Sequence, residues 1–125
     1  MDVVFAVMPF ADAGRPAMGV SLLKAEVAQA GFSSRIEYFN LDLAAKIGHD
    51  LYQQISSSLP PDLLVGEWFF ADDLFGASIP DETDFLEKIL APTVGAAGSL
   101  LSDLRQARRA RARFLDSCVD EIVAS

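Results

Sequence analysis

Few side chains in this chain are equipped for chemistry, and their spacing limits what they can do. The single histidine, His49, is followed directly by Asp50. Adjacent positions on a helix do not face each other, so this pair lacks the i, i+3 or i+4 spacing by which a carboxylate orients an imidazole. A solvent-facing imidazole is the expectation. The single cysteine, Cys118, falls on the apolar side of a helical pattern and reads as a buried thiol. One cysteine excludes an intrachain disulfide, a cysteine-rich zinc site and a cluster-binding triplet of thiols.

Three sets of residues remain as binding candidates. Pro9, Phe10, Arg15, Pro16 and Gly19 lie in a segment between an apolar run and a helix start, where free amides and the Arg15 guanidinium can meet an anionic or amide-bearing group. Asn40 and Asp42 stand near the end of a second extended run. They are placed beside that loop across the sheet, although Asp42 serves equally well as a helix N-cap. Arg105, Arg109 and Arg113 form an i, i+4, i+8 row, joined by Arg108 and Arg111. Like charges at this spacing repel by a few tenths of a kcal/mol, which an acidic partner would relieve. The row is read either as a solvated face balanced by Asp116 and Glu121, or as a docking surface for a further domain or an acidic peptide.

The elements that must position these residues are legible as a pattern. Residues 3–8 are almost continuously apolar, as in a buried parallel strand, and Pro9 ends them. Pro16 can take the first position of a helix that Gly31 closes. Residues 34–41 alternate as a second strand, completing a β-α-β unit. Leu43, Ile47, Leu51 and Ile55 recur in steps of four behind Asp42. A break follows at residues 56–61, then a helix holding Leu64, Trp68, Ala71 and Phe75 that Gly76 ends, with a strand over 63–70 as the alternative. Trp68, Phe69, Phe70 and Phe75 are expected in the core or a domain interface. Residues 80–90 read as a short helix, Ala91-Pro92 with Gly95 and Gly98 as a looser connection, and residues 100–123 as one long amphipathic helix without a stop signal.

A length of 125 residues allows one domain, and a net charge of −8 argues against nucleic acid as a general partner. No apolar run reaches membrane-spanning length or resembles a signal peptide, so no membrane partner and a cytoplasmic location are expected. The segment Gly14-Arg15-Pro16-Ala17-Met18-Gly19 is not a dinucleotide-binding glycine motif, because the spacing is wrong and Pro16 lacks an amide donor.

Read together, Met8-Pro9-Phe10-Ala11, Arg15-Pro16-Ala17-Met18-Gly19, Ser21-Leu22-Leu23-Lys24-Ala25, Asn40-Leu41, Gly66-Glu67-Trp68-Phe69-Phe70-Ala71 and Leu74-Phe75-Gly76 resemble the N-terminal portion of radical SAM enzymes that mature ribosomally made peptides. The resemblance is to the cobalamin-dependent C-methyltransferase branch. It implies a helix-rich α/β fold with an incomplete Rossmann-like β-α-β unit at about 3–41 and a helical extension at about 42–125. The whole chain would then be the N-terminal part of a cobalamin-binding-like domain, its sheet completed by further chain or a partner subunit.

The resemblance further implies cobalamin in the full-length protein, contacted through Pro9, Phe10, Arg15, Pro16, Gly19, Asn40 and Asp42. An iron-sulfur cluster and S-adenosylmethionine would enter only through a domain that this sequence lacks. The loop holds no histidine for cobalt, so no cofactor and no catalysis are expected of this chain alone. The competing expectation is a non-catalytic interaction module that binds a precursor peptide or a partner enzyme. Self-association, a dimer in the simplest form, is expected on either reading.

Overall fold

The structure is a computed structural model, described for residues 2–76, 81–95 and 98–124. Strand β1 (Val3–Val7) leads through a loop to helix α1 (Met18–Gln29) and returns in strand β2 (Ser34–Tyr38). The strands pair in parallel, with Phe5 opposite Ile36, in a two-stranded sheet. The sheet does not close, and both outer edges lack a partner strand among the described residues. Asp2 ties down its start, accepting from the Ser33 amide at 2.8 Å and the Ser33 hydroxyl at 3.0 Å. These bonds hold the Asp2 carboxyl below its ordinary range.

Helix α2 (Phe39–Ile47) follows β2 without a turn, and α3 (His49–Gln53) continues as a π turn, Gln54–Ser58. Helix α4 is Val65–Phe75. A helical stretch then runs through α5 (Glu82–Asp84), a second π turn at Phe85–Leu90 and α6 (Ala91–Val94). Helices α7 (Leu100–Arg108) and α8 (Arg111–Val123) complete the described chain. None of these helices is long and apolar enough to cross a membrane.

The core belongs to the helices rather than to the sheet. Phe39, Leu43, Tyr52, Phe69, Leu86, Leu104 and Phe114 form its centre, and Val7 is the one buried residue of the two strands. Helix α1 contributes no buried residue: Met18, Leu22 and Leu23 are 72%, 63% and 53% exposed.

Several expected boundaries are corrected by the backbone. The second strand stops at Tyr38, three residues short, because Phe39 and Asn40 already begin α2. Asp42 is therefore not an N-cap. It lies in the first turn of α2, where its charge suits the helix dipole, and Tyr38 holds the cap position. Pro16 precedes Ala17, the N-cap of α1, and so lies outside the helix.

The helix expected through Leu43 and Ile55 is broken at Gly48, whose φ of 96° is open to glycine and costly for other residues. Val65–Phe75 is a helix and not a strand. Its buried side is Val65, Trp68 and Phe69, while Leu64 and Phe75 face outward at 55% and 74% exposure, so Phe75 is not a core residue. The helix expected to open at Pro80 begins at Glu82, with Asp81 accepting from the Asp84 amide at 2.9 Å, and Pro80 lies outside the described residues. It runs on through Ala91 and Pro92 to Val94, where a looser connection was expected. The last long helix is two, joined by a tight turn in which Arg109 and Ala110 donate to Gln106 and Ala107.

Candidate functional site

The loop that leaves the carboxyl end of β1 is held from below by its own backbone oxygens. Phe10 O accepts from the Ser56 hydroxyl at 3.2 Å, and Ala11 O accepts from the Tyr52 phenol at 2.5 Å. The Asn40 amide donates to Ala11 O and Asp12 O at 3.4 Å. Tyr52 and Asn40 are both buried. Burial, reinforced by the Asp12 charge and opposed by Asn40, pushes the Tyr52 phenol up to about 12. The phenol therefore stays protonated at neutral pH and donates to the loop.

The Phe10 ring drops into the helical core. Its centroid lies 5.2 Å from that of Tyr52, 5.3 Å from Phe69 and 6.0 Å from Phe70. Gly66 makes the close approach of α4 possible, since a Cβ there would stand 3.0 Å from the Phe10 ring. Tyr52 of α3 and Gly66, Phe69 and Phe70 of α4 thus converge on one aromatic side chain, while α2 and the π turn hold the loop backbone beside it. The Pro9–Phe10 peptide is cis.

A cavity of about 730 Å³ opens beside this knot, between the loop, the π turn and the outer side of α4. Pro9, Phe10, Ser56, Glu67, Phe70 and Phe75 are among the residues that line it. A smaller hollow of about 250 Å³ shares Pro9, Phe70 and Leu74 with it and adds Met8 and Leu115. The volume is in the range of small-molecule sites, and the position outside the carboxyl end of a parallel strand is where α/β sheets bind ligands.

The predicted site residues divide sharply. Pro9 and Phe10 line the cavity, and Asn40 is brought to the loop as expected, though as a buried brace rather than a ligand contact. Arg15 is exposed, with Asp12 at 3.9 Å, while the Asp12 carboxylate accepts from the Gly14 amide at 2.7 Å. Pro16 and Gly19 are exposed on the far limb of the loop, and a Cβ at Gly19 would meet nothing within 4 Å. Asp42 is exposed on α2, and its charge acts with burial to raise the Cys118 thiol on α8. His49 is exposed on the rim of a separate hollow of about 690 Å³ that Asp50 and Asp103 also line. Among the described residues no group of His, Cys, Asp and Glu is arranged to hold a metal ion.

The arginines also divide. Arg105 turns to Glu82 at 3.7 Å, leaving Arg109 and Arg113 exposed. Arg108, taken from sequence as one more surface charge, is 2% exposed. It stacks 4.4 Å from the Trp68 ring and donates to the Trp68 and Phe69 carbonyls at 2.9 and 3.3 Å. Asp72 and Glu82 stand 3.4 and 3.7 Å away. Arg111 lies 3.2 Å from Asp72 and 2.8 Å from Asp73, binding α8 to α4. The roles of Tyr52, Ser56 and Arg108 escaped the sequence reading, because periodicity does not say which polar residue on a helix meets another element.

No family model matches the chain, and no curated protein or solved structure matches it.

Proposed function

We propose that this chain is the N-terminal cofactor-domain segment of a cobalamin-type radical SAM methyltransferase acting on a ribosomal peptide, and that it is not catalytic alone. One observation carries the reading. The motif pieces that gave the resemblance, Met8-Pro9-Phe10-Ala11, Asn40 and Gly66 through Phe70, lie far apart in sequence and meet at the carboxyl end of β1 beside the cavity. On this reading the sheet is Rossmann-like and is completed by strands outside the chain. Pro9 and Phe10 border the corrinoid, while Arg15, Pro16, Gly19 and Asp42 meet it only through parts of the domain that complete the crevice. The iron-sulfur cluster and S-adenosylmethionine belong to another domain. The lone, buried Cys118 is in keeping with a cytoplasmic setting.

The test is to read the coding frame after Ser125 and to purify its full product without oxygen. A three-cysteine motif downstream and a stoichiometric corrinoid spectrum in the long protein, with none in the 125-residue chain, are expected. A frame that closes without those cysteines, or corrinoid bound by the short chain alone, would sink the reading.

A second reading, an interaction module for a precursor peptide or partner enzyme, is favoured by the outward Leu64, Leu74 and Phe75 around the cavity. Arg105, Arg109 and Arg113 are the docking row on that account, with Arg109 and Arg113 the two free of the Glu82 contact. Calorimetry with the candidate peptide decides it, since substitution of Phe75 by Ser should weaken binding at least tenfold.

A further inference from the structure

We draw no further inference here: the strongest candidate, the cavity of about 730 Å³ between the loop after β1, the π turn and the outer side of α4, belongs to the site already described, and nothing in the structure shows what covers its outward Leu64, Leu74 and Phe75.

Discussion

Arg108 shows how one side chain can fasten three elements. From α7 it reaches the carbonyls and Trp68 ring of α4 and the Glu82 carboxylate of α5. Asp72 and Glu82 keep Arg111 and Arg105 when Arg108 is removed, so the loss falls on the buried Trp68 and Phe69 carbonyls left without their donor and on the packing over Trp68, which together cost about 1–3 kcal/mol. Arg108→Ala should therefore lower the urea midpoint by that equivalent at unchanged slope, and Arg108→Met, which keeps the bulk over Trp68, should lose less. Equal stability of wild type and Arg108→Ala would show that the network is idle.

Tyr52 sets a pH dependence of known sign. Its folded pKa is raised to about 12 from an ordinary 10.0, so the neutral phenol's contribution is complete below pH 10 and is lost as pH rises toward 12. Thermal melts from pH 9 to 12 should show a decline that Tyr52→Phe reduces. A decline of the same size in the variant would clear Tyr52 of that role. Neither residue announced itself in sequence. Arg108 sits in a run of arginines that periodicity assigns to solvent, and Tyr52 falls among polar neighbours. By contrast, the isolation of His49 and the burial of Cys118 were legible, because helical phase alone decides them.

Among the elements, the order and parallel pairing of the β-α-β unit were readable, since a β-branched run and an alternating strand differ in pattern, but its burial was not: residues 3–8 read as a buried strand, and Val7 alone of Val3–Val7 is buried. What failed were interruptions that leave the period intact. The seam of Leu104, Ala107, Phe114 and Cys118 keeps its helical spacing across the turn at Arg109 and Ala110, and neither glycine nor proline marks that turn. At Gly48 the mark was present, but the four-residue spacing of Leu43, Ile47 and Leu51 masked it. Helix α4 offers a direct test of how elements are spaced. Gly66→Ala would gain about 1 kcal/mol of helix propensity, yet it forces a methyl to 3.0 Å from the Phe10 ring. Overpacking costs about 1–3 kcal/mol, so a net loss of about 1 kcal/mol is expected in thermal unfolding. Phe10→Leu should make Gly66→Ala neutral or stabilising. If Gly66→Ala stabilises the wild-type chain, α4 does not pack tightly on the loop.

At the scale of the whole molecule, stability is divided unevenly between a helical body and a sheet that leans on it. Leu43, Phe69, Leu104 and Phe114 lock α2, α4, α7 and α8 together, whereas α1 buries nothing and the strands bury Val7 alone. Local opening costs least where few apolar groups are covered. Amide exchange should accordingly fall into two classes: α1 should exchange with little protection, and the interior of α4 and α8 only through global unfolding. Mass spectrometry with residue-level fragmentation reads both classes at once. Protection of α1 equal to that of α4 would mean that its Met18, Leu22 and Leu23 face is already covered, and the uneven division of stability would have to be abandoned.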